Sequence, residues 1–350
     1  MNFASDNWAG ASANVLAALG AANGTLPAYG ADPVTARAKA LLEEALGGSA
    51  AFAFVATGTA ANALCLSLAA RAGGVVLCHE GAHITVDEGG APEALSGGLK
   101  FVTIAGRAGK IAPDALEEAF ARFPKGVVHH GRVVAVSITN LTELGTLYRP
   151  GEVRALADIA HRHGALLHCD GARLFNAAAS AGVSPIALTR EAGVDLLSFG
   201  MTKCGALCAE VAVAFDPALG EDLAFAQKRI GQLLSKQRLY AAQVAALLEG
   251  GHGQDLAARA NGLAARLGAG LVGLEGTRLI APVEGNEVFI AMPKEMAARL
   301  EEGGVKFYDW PVFALQPEER PGPGERLLRF VTHHALGTED VERLIALAAG

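Results

Sequence analysis

Lys203 stands in the segment SFGMTKCGA, directly after the apolar run 196–200, and no other lysine or arginine lies between Glu191 and Lys228. Most lysines are solvated. One walled by Phe199, Met201, Cys204 and Ala206 at the C-terminal edge of a strand is not. Desolvation lowers the ammonium pKa and favours the free amine that Schiff-base chemistry requires. Asp170 closes the apolar run ALLHCD and is followed by Gly-Ala-Arg. A carboxylate at the C-terminal end of a buried parallel strand either caps the helix that follows or meets a ligand. Lys203 on the adjacent strand end, or the next but one, favours the ligand. A carboxylate can keep a pyridine nitrogen protonated while a lysine holds the cofactor's aldehyde, so the pair suits pyridoxal 5'-phosphate (PLP).

Three further groups fit the same cleft. The segment ATGTAAN (56–62) follows an apolar run and opens a helical one. A strand, a small-residue turn and a helix N-terminus together attract a phosphate through backbone N–H groups and the helix dipole. The segment carries neither the Walker pattern nor GxGxxG, so nucleotide binding has little support. His83, in HEGAHITVDEGG, can stack on a ring or exchange protons. His129 and His130, before the run 133–138, are a second imidazole source, and the sequence does not choose between them and His83. Arg329, in LLRFVTHH, is a lone cation in an apolar strand, where it either snorkels or meets a buried anion such as a substrate carboxylate. Arg173, three residues after Asp170, can face the same cleft.

These residues need a scaffold, and the chain supplies one. Strand-like runs at 52–55, 75–79, 101–104, 133–138, 165–170, 196–200 and 210–215 alternate with helical patterns at 59–71, 114–123 and 150–163. Several runs are continuously apolar, as strands covered on both faces are. The alternation predicts an α/β fold with a mostly parallel seven-stranded sheet and helices on both faces. After about residue 217 the texture changes. Two long helices are expected at 222–248 and 254–271, then strands at 279–283 and 287–291, a helix at 294–302, a Pro/Gly-rich loop at 317–324, a strand at 327–332 and a last helix at 339–349. The expected division is a large domain at 1–245, whose N-terminal segment contributes to the active site, and a small C-terminal α+β domain at 246–350.

Composition narrows the function. Of 350 residues 51% are apolar and 19% charged, which supports a large core and excludes wholesale disorder. A formal charge of −7 argues against a nucleic-acid partner, which requires a basic surface. No apolar stretch approaches a membrane span, and residues 1–10 do not read as a secretory signal. The odd set Cys65, Cys78, Cys169, Cys204 and Cys208 fits reduced thiols in the cytoplasm. Cys204 and Cys208 lack a second Cys/His pair nearby, so no metal site is expected.

Taken together, SDN (5–7), YGADPVTARAKALLEEALG (29–47), ATGTAAN (56–62), HEGAH (79–83), HCDGARLFNA (168–177), SFGMTKCGA (198–206), KRIGQLLSK (228–236) and LRFVTHH (328–334) resemble the low-specificity L-threonine aldolase group, within the fold-type-I PLP-dependent β-eliminating lyases. The resemblance spans nearly the whole chain. It implies that Lys203 forms the Schiff base, that Asp170 pairs with the pyridine nitrogen, that Gly58 and Thr59 hold the phosphate with Arg229, and that His83 stacks on the ring. It gives the amino-acid carboxylate to Ser5, Arg173 and Arg329, lets Tyr29 reach a neighbouring subunit's site, and implies a homotetramer, a dimer of dimers. His83, His129 and His130 are the candidate bases. The implied reaction is retro-aldol cleavage of L-threonine, L-allo-threonine or a related L-β-hydroxy-α-amino acid to glycine and an aldehyde. Commoner members have Asn at the Cys204 position and a small residue at Met201, which makes a phenylserine-preferring aldolase plausible as well. The same residues would serve a PLP-dependent β-eliminating lyase or aminotransferase, and a non-catalytic protein could keep the fold without the reaction.

Overall fold

The computed structural model describes residues 1–350 except residue 314. Seven strands build the main sheet: β1 (Ala51–Val55), β2 (Gly74–His79), β3 (Lys100–Ile104), β4 (Arg132–Thr139), β5 (Leu166–Gly171), β6 (Leu196–Gly200) and β7 (Glu210–Ala214). Their spatial order is β1-β7-β6-β5-β4-β2-β3. β7 alone runs against the rest; it pairs antiparallel with β1 and β6, and every other pairing is parallel. Alternate side chains enter two separate cores, as a period of two demands when helices cover both faces. Phe54, Leu77, Val136, Leu167 and Leu197 face one core. Val55, Val76, Ala135, Leu196 and Ala212 face the other.

The helices begin where their sequences signal. Thr57 caps Gly58–Ala69 by accepting from the Ala60 N–H at 3.1 Å. Pro150 occupies the first turn of Pro150–Arg162, where its missing N–H costs nothing, and Glu152 accepts from the Arg149 N–H.

A smaller antiparallel sheet follows in the order β10-β11-β9-β8, formed by β8 (Arg278–Leu279), β9 (Glu287–Pro293), β10 (Tyr308–Asp309) and β11 (Glu325–Val331). Its core gathers Leu267, Val288, Ile290, Leu328 and Phe330, and Phe3 from the N-terminus packs with them. The chain start is thereby tied to its far end: the Phe3 N–H donates to the Lys306 carbonyl and the Val331 N–H to that of Phe3, both at 2.8 Å.

Two expectations are corrected. The segment 222–248 is not one helix but two, Gly220–Arg229 and Arg238–Leu248. Gly231 turns the chain at φ 77°, and the first of these helices and the segment after it both bind the C-terminal end of β1. The Ala56 N–H donates to Gln232 Oε1 at 3.1 Å, and Gln227 Nε2 donates to the Phe54 carbonyl at 2.8 Å. The strand at 279–283 shrinks to Arg278–Leu279, and β10 has no counterpart in the reading of the sequence.

Candidate active site

The C-terminal ends of the parallel strands open onto two adjoining cavities, of about 300 and 500 Å³. Asn7, His83, Glu143, Arg173 and Lys203 border both. β5 and β6 are neighbours, with Asp170 opposite Ser198 and Gly171 opposite Phe199. Asp170 therefore reaches the cavity from the end of one strand, and Lys203 from the short turn Thr202–Cys204 after the next. The lysine pKa is lowered, first by desolvation and then by the positive charge of Arg173.

Asp170 is held by two donors: the Ala172 N–H to Oδ1 at 3.0 Å and Asn62 Nδ2 to Oδ2 at 2.8 Å. Asn62 Nδ2 also donates to Glu88 Oε1 at 2.7 Å, and the same oxygen lies 2.8 Å from His83 Nδ1. The hydrogen bond to Glu88 raises the His83 pKa against the opposing effect of burial. With Glu88 as acceptor, Nδ1 carries a proton and Nε2 of the neutral ring is free to take one. The ligand atoms of His83, Glu88 and Asp170 lie within 4.8 Å of one another, close enough for a cation. The Asn62 amide instead bridges the two carboxylates as a donor.

Gly58 and Thr59 border the smaller cavity at the start of their helix. A Cβ placed on Gly58 would meet no atom within 4 Å, so the backbone there faces open space. Glu210, at the start of β7, also borders this cavity and accepts from the Met201 N–H at 2.7 Å; burial pushes its carboxyl up to about 7.

The larger cavity holds the arginines. Arg173 is paired in the structure with Asp6, Nε to Oδ2 at 2.8 Å and a terminal nitrogen to Oδ1 at 3.2 Å, and its terminal nitrogen is 3.2 Å from Glu287 Oε1. Arg329 lies 4.3 Å over the Trp310 ring, donates to the Ala4 carbonyl at 3.2 Å, and stands 3.9 Å from the same Glu287 oxygen. Ser5 borders this cavity, its hydroxyl accepting from the Asn7 N–H. Trp8, Tyr308, Trp310 and Phe313 give the cavity an aromatic wall.

The remaining candidates from the sequence lie elsewhere. His129 and His130 are exposed in the loop before β4 and border neither cavity, because that loop joins the strand at its opposite end. Arg229, exposed at the end of its helix, and Tyr29, exposed at φ 55° with Lys228 Nζ 5.9 Å from its ring, also border neither. Met201 and Cys204 line neither cavity; Cys204 Sγ donates to the Gly253 carbonyl at 3.0 Å. Asn62, Glu88, Glu143, Glu210 and Glu287 carry no signal of their own in the sequence, although Asn62 and Glu88 lie within motifs that do.

The β-eliminating lyase family model matches residues 2–295. A low specificity L-threonine aldolase of Pseudomonas sp. is 38% identical over 307 residues, covering 87% of this chain and 88% of that protein. The structure of Leishmania major threonine aldolase superposes with a TM-score of 0.91 at 28% identity, over 99% of this chain and 98% of that one. Sphingomonas wittichii serine palmitoyltransferase shares the fold, with a TM-score of 0.73 at 18% identity, over 100% of this chain and 86% of that one. By sequence over most of its length, and with the fold to match, the chain belongs to the β-eliminating lyase family.

Proposed function

We propose that the chain is a PLP-dependent lyase that cleaves L-threonine, L-allo-threonine or a related L-β-hydroxy-α-amino acid to glycine and an aldehyde. The observation that carries this reading is the convergence of Lys203, Asp170 and His83 on one cavity bordered by a helix N-terminus, with Arg173 and Arg329 alongside. The residues fit the cofactor by their donor chemistry. The first N–H groups of a helix have no partner within it and suit a phosphate. Asp170 suits a protonated pyridine nitrogen, and a desolvated amine suits an aldehyde. When bound, PLP supplies an aldehyde that condenses with amines and a ring that accepts the electron pair left by bond cleavage.

The protein's own groups do the rest. Gly58 and Thr59 would hold the phosphate, and Asp170, fixed by Asn62 and Ala172, would meet the ring nitrogen. His83 borders both cavities and would lie against the cofactor ring. Its Nε2 takes the proton from the substrate β-hydroxyl while Glu88 steadies the resulting charge at Nδ1. Arg173, Arg329 and Ser5 bind the α-carboxylate. Their grip would fix the orientation of the substituents at the substrate Cα, so it would govern rate as well as affinity. The larger cavity's aromatic wall favours a second substrate class, aryl β-hydroxy amino acids such as phenylserine. Tyr29 and Arg229 are exposed on their own chain; a homotetramer in which Tyr29 reaches a neighbouring subunit's site is part of this reading. All five cysteines are free, which supports a cytoplasmic setting.

The test is incubation with L-threonine and with phenylserine, following glycine, aldehyde and keto acid. Glycine and aldehyde in equal amounts are expected. Exclusive keto-acid formation would replace the aldolase with a β-eliminating lyase or aminotransferase.

A further inference from the structure

Glu287 is out of place in a pocket built for an anion. It starts β9, is 2% exposed, and borders the larger cavity beside both arginines. Only Oε1 is engaged, 3.2 Å from Arg173 and 3.9 Å from Arg329. Oε2 is buried and, among the described residues, has no hydrogen-bond partner. An ionised carboxylate in that position leaves a charged oxygen unsatisfied and repels an incoming carboxylate. A neutral acid there carries an O–H in need of an acceptor, and a substrate carboxylate beside the arginines is one.

We propose that Glu287 is a third member of the carboxylate clamp, binding as the neutral acid: a turn of its carboxyl about Cγ–Cδ brings the protonated oxygen to the cavity side, where it donates to the α-carboxylate that Arg173 and Arg329 hold. The inference rests on the substrate-carboxylate site of the function proposed above. Its balance is simple: Glu287 takes one proton from solvent as the carboxylate enters, and returns it when the ligand leaves. The charged groups that face Glu287 are Arg173 on the turn after β5, Arg329 on β11, Asp6 on the N-terminal turn and Lys203 on the turn after β6. Burial raises the Glu287 pKa, and Asp6 raises it further, against lowering by the three cations. Asp6 already occupies two donors of Arg173, so the clamp is short of positive charge without this proton.

The geometry predicts carboxylate binding that weakens as pH rises. The probe is propionate, which lacks an amine, titrated into the cofactor-loaded protein while the fluorescence of Trp8 and Trp310, both on the cavity wall, is followed. Above the titration of Glu287, the wild-type Kd rises about tenfold per pH unit, and one proton is taken up per propionate bound. Glu287→Gln keeps an N–H donor without needing a proton. Its Kd stays flat with pH and is lower than the wild-type value at the alkaline end. A flat wild-type Kd, a slope that survives in the variant, or no propionate binding at any pH overturns the proposal. Should the variant fail to fold, proton uptake by the wild type on the alkaline side of the Glu287 titration, measured calorimetrically in buffers of different ionisation enthalpy, decides alone: one proton supports the clamp and none refutes it. Propionate undergoes no turnover. A chain that shows the slope yet leaves threonine intact keeps the clamp and loses the aldolase.

Discussion

His83 cannot be understood apart from Glu88. The 2.8 Å contact fixes which ring nitrogen carries the proton and raises the pKa of the ring. A base must be deprotonated to act, so with His83 as the proposed base kcat/KM is expected to fall on the acidic side as the ring gains its proton. Glu88→Gln removes the charge that holds the proton. The expected outcome is an acid limb displaced to lower pH in the kcat/KM profile, with a roughly tenfold or greater loss of kcat from the poorly oriented ring. An acid limb that stays put would assign the base elsewhere. Lys203, Asp170 and Arg329 were legible in the sequence because each is a lone charge at the end of, or inside, an apolar run. Glu88, Asn62 and Glu287 were not. Asn62 meets Asp170 across 108 positions of chain, and no spacing rule encodes such a contact.

At the scale of the elements, the seven strands of the main sheet lie within a residue or two of where hydrophobic runs place them. Buried strands must be continuously apolar and are short, so their ends are marked. The break at Gly231 has no signal in the sequence beyond the glycine because the segment GQLLSKQ is otherwise compatible with helix; only a distant contact, Gln232 accepting from the Ala56 N–H just past β1, decides otherwise. The crossing of β6 with the turn after β5 is a tight backbone contact at the site. A Cβ on Gly200 would stand 2.4 Å from the Ala172 carbonyl oxygen and 2.6 Å from its Cα. Backbone cannot swing aside as a side chain does, so one strand end must move. Gly200→Ala is expected to cost about 1–3 kcal/mol of stability and to weaken cofactor binding, because Lys203 lies three residues on. An unchanged denaturation midpoint would show that the sheet edge yields more easily than its packing implies.

For the whole molecule, the site depends on returning the chain start to the centre. Asp6 binds Arg173 beyond β5 and accepts from Asn286 Nδ2 at 3.0 Å before β9, so three distant segments meet at one carboxylate. Its pKa falls to about 2: burial alone would raise it, and the charges of Arg173 and Lys203 and the bonds from Arg173 and Asn286 outweigh that. Beneath the site, the sheet centre carries a polar link. His168 contacts Ser137 at 2.9 Å and Ser198 at 3.2 Å on the flanking strands, and burial pushes its pKa down to about 4 from 6.5. In the unfolded chain this imidazole takes a proton first as pH falls, so its contribution to stability, full above pH 6.5, is lost as pH drops towards 4. The loss is about 3 kcal/mol. His168→Gln cannot titrate, so the wild type should lose that much more stability than the variant over the window, measured by denaturant unfolding. Parallel pH profiles would contradict it.

The proposed chemistry depends on the ε-amine of Lys203 more than on any other group. Reduction of the PLP-loaded protein with borohydride fixes any imine as a stable amine, and proteolysis with mass spectrometry then locates it. A single phosphopyridoxyl label is predicted on the peptide containing Lys203, absent in Lys203→Ala. A label on another lysine, or none, would contradict it.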